Sequence, residues 1–145
     1  MANVHEILAK KGSQVYSIDP QATVLKATQL MNYYKIGALV VTDGPRVVGM
    51  FTERDVLRRV VAEGRDPSTT SVEEVMTADV ACAQMRTTLE EAAGVMKNRR
   101  IRHLPVCDEE DRLEGIISIG DLNAWQTDGQ ETTIRFLSEY IHGRV

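Results

Sequence analysis

The sequence predicts an α+β fold in which two similar repeats, related by a pseudo-twofold axis, pack sheet to sheet and are followed by a C-terminal helix. Three observations carry this prediction. The chain has 145 residues, the size of one compact domain. Its pattern of apolar and turn residues occurs twice, and each copy has the element order α-β-α-β-β-α. A unit of roughly 55 residues buries too little apolar surface to be stable alone, so the two copies are expected to share a core.

A short helix is predicted at the start of each copy. Residues 4–8 and 72–76 both carry apolar side chains at positions i, i+3 and i+4, the spacing of one helix face. A short β segment is expected next, over residues 15–18 in the first copy and near residues 80–82 in the second.

An amphipathic helix follows in each copy, over residues 23–31 and residues 88–96. Thr23 and Thr88 stand where an N-cap hydroxyl is needed. In the second copy Glu91 lies three residues after the threonine, which predicts a capping box.

Two strands then lead into a closing helix in each copy. Polar turns separate the strands, and the closing helices are predicted to begin at Thr52 and Ser118. The predicted strands are residues 36–41 and 47–51 in the first copy and residues 101–106 and 113–117 in the second.

These elements divide the chain into repeat one (residues 1–62), a linker rich in Pro, Ser and Thr (63–71), repeat two (72–126) and a C-terminal amphipathic helix (127–145). Apolar residues at Ile134, Leu137 and Ile141 give that last helix an apolar face. This face either packs on the chain's own core or covers a second chain.

Composition excludes several classes of function. The net charge is −4, from 17 basic and 21 acidic residues, so no overall positive field attracts nucleic acid or an anionic membrane. The chain lacks an N-terminal signal sequence and an apolar run of about 20 residues, which predicts a cytoplasmic protein. The two cysteines and three histidines lack ligand spacing, so no metal site is expected.

The repeated motifs resemble the CBS domain, named after cystathionine β-synthase, and the tandem arrangement resembles a stand-alone Bateman module. The resemblance is carried by residues 36–41 with 49–55 and by residues 101–106 with 115–121. It implies a regulatory module with two clefts between the repeats that bind AMP, ADP, ATP, NAD or S-adenosylmethionine. AMP is the expected ligand, a homodimer the expected assembly, and the regulated protein is expected to be a partner in trans.

The same triplet of residues occurs at the start of both closing helices. A glycine is followed three residues later by a hydroxyl residue and three further on by an aspartate. The hydroxyl and the free N–H groups of a helix start suit phosphate, and the carboxylate suits the two ribose hydroxyls. The alternative is a plain capping box, and both roles are compatible. The triplets are Gly49, Thr52, Asp55 and Gly115, Ser118, Asp121.

Phosphate contacts are expected from the basic cluster of Arg100, Arg102 and His103, and from Arg54. A solvated charge run is the alternative for the cluster. Because the first copy has Gly37 and Ala38 where the second has Arg102 and His103, the two clefts are expected to differ. We expect the arginine and histidine to serve the cleft of Ser118 and Asp121, and Arg54 to serve that of Thr52 and Asp55.

Residues of the first strands are expected to flank the adenine base, with membership of the hydrophobic core as the alternative for each. They are Ser17, Ile36, Gly37, Ala38, Leu39, Leu104 and Pro105.

No catalytic constellation is evident. His103 has no nucleophile or paired carboxylate around it in the sequence, and Cys107 is interpreted as a small core residue. A non-catalytic adenine-nucleotide sensor is therefore predicted. The rival interpretation is a structural interaction module with vestigial clefts, and nucleic-acid binding is disfavoured by the acidic charge balance.

Overall fold

The computed structural model describes residues 1–127. The helix predicted over residues 127–145 lies outside the described residues except for Thr127, which ends the preceding helix. None of the helices within residues 1–127 is both long enough and apolar enough to cross a membrane.

The first repeat follows the predicted order. Its elements are α1 (Val4–Lys11), β1 (Ser17–Ile18), α2 (Val24–Tyr34), β2 (Ala38–Asp43), β3 (Arg46–Thr52), α3 (Glu53–Asp55) and a π-helical segment (Val56–Val61). The three strands form one sheet in the order β1-β2-β3. β1 pairs parallel to β2, and β2 pairs antiparallel to β3, with Ala38 opposite Thr52. The closing helix begins as α3 and continues with i to i+5 hydrogen bonds in the π-helical segment.

The second repeat contains α4 (Val72–Val75), α5 (Leu89–Arg99), β4 (His103–Cys107), β5 (Leu113–Ser118) and α6 (Ile119–Thr127). β4 and β5 pair antiparallel, with His103 opposite Ser118. The strand expected near residues 80–82 is reduced to a parallel bridge between Ala83 and Val106. Two hydrogen bonds make this bridge, from Ala83 N–H to Pro105 O and from Cys107 N–H to Ala83 O, both at 2.8 Å.

Local signals at the helix ends act as predicted. The Thr23 hydroxyl accepts from the backbone N–H of Lys26, and Thr88 and Glu91 form the predicted capping box. At the other ends, Lys35 and Arg100 both adopt the left-handed conformation, each with φ near 57°. The equivalent helices of the two repeats therefore end in the same way and direct the chain into β2 and β4.

The opening helix of each repeat packs in the hydrophobic core of the other repeat. Val4, Ile7 and Leu8 of α1 pack with the buried residues of β4 and β5. Val72 and Val75 of α4 pack with the buried residues of β2 and β3. Each repeat therefore completes its core with a helix from the other repeat. Both repeats are needed to complete either core.

A third cluster joins the two sheets. Ala38, Val40 and Met50 from the first sheet are buried against partly buried residues of the second repeat, Leu113 and Ile116 among them. Backbone hydrogen bonds link the sheets as well, from Val47 N–H to Asp111 O and from Leu113 N–H to Pro45 O, both at 2.9 Å. The predicted sheet-to-sheet packing of two α+β repeats is confirmed.

Glycine at two equivalent positions allows the exchanged helices to approach. A Cβ atom added at Gly49 would lie 2.5 Å from Met76 Sδ and 3.0 Å from the Thr77 carbonyl oxygen. One added at Gly115 would lie 2.7 Å from Leu8 Cδ1. The glycine of each repeated triplet is therefore a packing residue between the repeats.

Substitution of Gly49 by alanine tests this packing. We expect Gly49→Ala to lower the free energy of unfolding by about 1–3 kcal/mol, because the added methyl group would overlap Met76 and crowd the Thr77 carbonyl oxygen, and both would have to move away from β3. Gly94→Ala on α5 is the control, since its Cβ meets nothing within 4 Å; it should raise the free energy by about 0.5–1 kcal/mol through helix propensity. Urea denaturation measures both, and equal stabilities of the Gly49→Ala and wild-type proteins would contradict the packing role.

Candidate functional site

A cavity of about 400 Å³ lies where the two repeats meet. Its walls come from the end of β3 and start of α3 in the first repeat and from the end of α5 and start of β4 in the second, with the segment after α4 between them. The lining residues are Gly37, Met50, Thr52, Glu53, Arg54, Asp55, Thr77, Asp79, Val80, Ala81, Arg99, Arg100, Ile101, Arg102, His103 and Pro105.

The wall from the first repeat is ordered by a capping box. The Thr52 backbone N–H donates to Asp55 Oδ2 at 3.0 Å, and the Asp55 N–H donates to the Thr52 hydroxyl at 3.4 Å. The other oxygen, Oδ1, accepts from the Thr77 hydroxyl at 3.4 Å and lies 3.7 Å from Arg59 Nε. Asp55 is 5% exposed, so its carboxylate is held rigidly at the cavity wall.

The wall from the second repeat is strongly basic. Arg99 is held by Asp79, with its Nη1 donating to the Asp79 carbonyl at 3.1 Å. Arg100 ends α5 in the left-handed conformation, which is uncommon for a residue with a side chain. Within residues 1–127, the guanidinium groups of Arg54, Arg100 and Arg102 form no salt bridge. Three arginine side chains at the cavity therefore remain available to an anion.

His103 stands at the start of β4, beside this basic group. Burial lowers the pKa of His103, and the positive charges of Arg102 and Lys11 lower it further, while Asp121 and Glu53 oppose them. The imidazole is therefore neutral at neutral pH, and an anion in the cavity would favour its protonation.

The segment after α4 supplies cavity residues that the sequence analysis missed. Thr77 pairs with Met50 through two backbone hydrogen bonds of 2.9 Å, which ties the segment to β3. Asp79, Val80 and Ala81 then line the cavity. The repeat pattern could have indicated these residues. They follow α4, the opening helix of the second repeat, and the exchange of opening helices brings the end of α4 to the first repeat.

A second constellation, equivalent to that of Thr52 and Asp55, surrounds Ser118 and Asp121. The Ser118 N–H donates to Asp121 Oδ2 at 2.8 Å, and the Asp121 N–H donates to the Ser118 hydroxyl at 3.1 Å. Asp121 Oδ2 also lies 2.7 Å from the ammonium of Lys11, which comes from α1. Both repeated triplets therefore form capping boxes, and neither Ser118 nor Asp121 lines the cavity described above.

The structure pairs the predicted phosphate residues differently from the sequence analysis. Arg54, Arg102 and His103 are predicted from the sequence to serve two clefts, but they line one cavity together with Arg100. The reason is that the pseudo-twofold packing places the start of β4 opposite the start of α3. The basic residues of both repeats therefore converge on the cleft of Asp55.

The seven residues expected around the base separate into three groups. Gly37 and Pro105 line the cavity. Leu39, Leu104 and Ala38 are at most 7% exposed and belong to the cores, which is the alternative considered for them. Two more lie off the cavity: Ile36 packs at the edge of the first core, and Ser17 is exposed on β1.

A pair of cysteines lies next to the cavity segment. The Cys107 thiol is buried and donates to Cys82 Sγ at 2.9 Å. This bond lowers the pKa of exposed Cys82 and, together with burial, raises the pKa of Cys107. Among residues 1–127, no three His, Cys, Asp or Glu side chains are grouped as a metal site would require.

Comparison with known proteins gives the same architecture. The CBS domain pattern matches residues 4–62 and 72–127. The CBS domain-containing protein YhcV of Bacillus subtilis is 36% identical over 110 residues, which cover 76% of this chain and 77% of YhcV.

Two solved structures are also similar. A putative signal-transduction protein with CBS domains from Burkholderia ambifaria is 39% identical, with a TM-score of 0.81 over 89% of this chain and 97% of that one. The CBS domain pair of protein MJ0100, solved with 5′-methylthioadenosine and S-adenosyl-L-methionine, is 21% identical, with a TM-score of 0.79 over 90% of this chain and 99% of that one. At this identity the second likeness concerns the fold.

The lowered pKa of His103 predicts how stability depends on pH. The ordinary pKa of histidine is 6.5, and below this pH His103 is protonated in the unfolded chain but stays neutral in the folded chain until the pH reaches its lower folded pKa. This residue therefore makes folding less favourable as the pH falls from 6.5 to the folded pKa. We expect His103→Gln to reduce the fall in unfolding free energy as the pH decreases below about 7, measured by urea denaturation at a series of pH values. An equal flattening by His5→Gln would contradict the assignment to His103.

Proposed function

This chain belongs to the CBS-domain family, and on that premise we propose that it is a non-catalytic regulatory module whose cavity between the repeats binds an adenine nucleotide. CBS domain pairs are commonly regulatory and nucleotide-binding, and no catalytic family is indicated for this chain. The observation that carries the proposal is the cavity itself, which is lined by the buried Asp55 and by three arginines that form no salt bridge within residues 1–127. Its volume of about 400 Å³ is in the usual range for small-molecule sites.

The phosphate is proposed to bind to Arg54, Arg100 and Arg102, with His103 beside them. Guanidinium groups form bidentate, charge-assisted hydrogen bonds with phosphate oxygens. A dianionic phosphate also offsets the mutual repulsion of these side chains. This favours a phosphorylated ligand over an uncharged nucleoside, with AMP as the proposed ligand and ADP, ATP or NAD as alternatives.

The ribose is proposed to bind to Asp55. A carboxylate has about four lone-pair sites, and the bonds from the Thr52 N–H, the Thr52 hydroxyl and the Thr77 hydroxyl leave about one of them for a ribose hydroxyl. Capping the helix and binding the ribose are therefore compatible. The rigid hold on Asp55 lowers the entropic cost of this recognition.

The base is proposed to lie against the apolar side of the cavity. Val80, Ala81, Ile101 and Pro105 provide this surface, and Gly37 leaves room beside it. Protein MJ0100, which shares the fold, was solved with two adenosine-containing ligands.

Regulation is proposed to arise because both repeats contribute to the cavity. A ligand that contacts both repeats favours their bound packing over others, and a partner in trans reads that difference. The proposed division of the chain is repeat one (1–62), linker (63–71), repeat two (72–126) and C-terminal helix (127–145), and the proposed compartment is the cytoplasm.

Isothermal titration calorimetry with AMP tests the nucleotide site. We expect Arg54→Ala and Arg102→Ala each to weaken AMP binding by about tenfold or more, because a charge-assisted hydrogen bond is lost. Adenosine binding should change much less. Arg112→Ala is the control, since Arg112 lies outside the cavity and pairs with Asp108 at 2.7 Å.

Two results would count against this function. If wild-type protein bound none of AMP, ADP, ATP and NAD, and its melting temperature were the same with and without each, the rival structural module would be favoured. If both arginine variants bound AMP as wild type does, the phosphate would lie elsewhere.

We further propose that the module is a homodimer formed through an apolar groove between α2 and the π-helical segment. Leu57 and Val61 are 62% and 65% exposed, and Met31, Ile36 and Val56 line the groove with them. Exposed apolar side chains grouped in this way are typical of protein interfaces. A second copy presents the same surface, as a twofold interface requires.

Analytical ultracentrifugation tests the dimer. Leu57→Glu should convert the dimer to a monomer, because it would bury an unpaired carboxylate in the interface. Leu25→Glu is the control, since Leu25 is 39% exposed on α2 and lies outside the groove. A monomeric wild-type protein, or a Leu57→Glu dimer as tight as wild type, would contradict the proposed interface.

A further inference from the structure

The two aspartates of the repeated triplets have different neighbours. Asp55 and Met50, which precedes it on β3, both line the cavity. Their counterparts in the second repeat are Asp121 and Ile116 on β5. If the second cleft were open in the same way, these two residues would face its ligand.

The ammonium group of Lys11 lies between these two counterparts. It donates to Asp121 Oδ2 at 2.7 Å and to the Ile116 carbonyl oxygen at 3.0 Å. The lysine side chain is 33% exposed and that of Asp121 is 23% exposed, so both are partly buried, whereas the Asp55 side chain is 7% exposed. Lys11 thus lies against the carboxylate that corresponds to Asp55, the proposed ribose ligand of the other cleft.

The first cleft is arranged differently at the same positions. The Met50 carbonyl accepts the backbone N–H of Thr77 at 2.9 Å, so it needs no side chain as a donor. Asp79 follows Met76 by three residues, as Lys11 follows Leu8, but the two residues are placed differently: Lys11 ends α1, whereas Asp79 lies on the non-helical segment after α4 and pairs with Arg99 at 3.8 Å. Arg59, the cation near Asp55, donates to the Met76 carbonyl at 2.8 Å and does not line the cavity.

We propose that Lys11 is a specificity-determining residue that closes the second cleft to adenine nucleotides, so that each chain binds one. This inference rests on the proposed function. The ammonium satisfies Asp121 as a ribose diol would, and a nucleotide must break a charge-assisted contact to replace it. The chain thereby restricts itself to the arginine-lined cavity although it contains both triplets.

Calorimetric stoichiometry with AMP tests the inference. Wild-type protein should bind one AMP per chain, and Lys11→Met, which keeps the length of the side chain without its charge, should bind two. The double variant Lys11→Met with Asp121→Asn should return to one. Lys26→Met, which removes an exposed lysine of α2, is the control and should bind one.

The outcomes are separable from those of the proposed function. Equal stoichiometries for wild type and Lys11→Met would overturn the inference, and zero in both would overturn the proposed function with it. A wild-type value of two that falls to one in Lys11→Met would identify Lys11 as a phosphate ligand and also overturn it. Lys11→Gln provides a second variant, and melting curves establish that each protein is folded.

Discussion

The exchange of opening helices is the constraint on which the rest of the structure depends. Each sheet needs a helix to complete its core, and that helix comes from the other repeat. The exchange requires close contact between α1 and β5 and between α4 and β3, which glycine permits at Gly115 and Gly49. The repeats are therefore parts of one folding unit.

The candidate site follows from that arrangement. Because α4 packs on the first repeat, the segment after it passes the start of α3 and forms the wall between the two repeats. The same packing brings Arg102 and His103 to Arg54. A duplicated sequence thus produces two equivalent capping boxes whose neighbours differ. Asp121 pairs with Lys11, whereas Asp55 contacts Thr77 and Arg59.

The features that depend on nearby residues are predictable from the sequence. The order of the elements, the caps at Thr23 and Thr88 and the capping function of Asp55 and Asp121 follow from spacings of three or four residues. The core that α1 joins is not predictable in this way, since an apolar face fits either core. Arg54 and Arg102 are predicted from the sequence to serve separate clefts, whereas both line one cavity. That placement depends on how the repeats dock, which no local spacing encodes.

The exchange of helices also affects how the chain folds during synthesis. Lys11 and its backbone partner Ile116 are 105 residues apart along the chain. At about 5–20 residues per second, the ribosome exposes the first helix roughly 5–20 s before it adds the strand on which that helix packs. In that interval Val4, Ile7 and Leu8 have no native core to enter. The apolar face of α1 therefore acquires its native cover only once the second repeat has been synthesised.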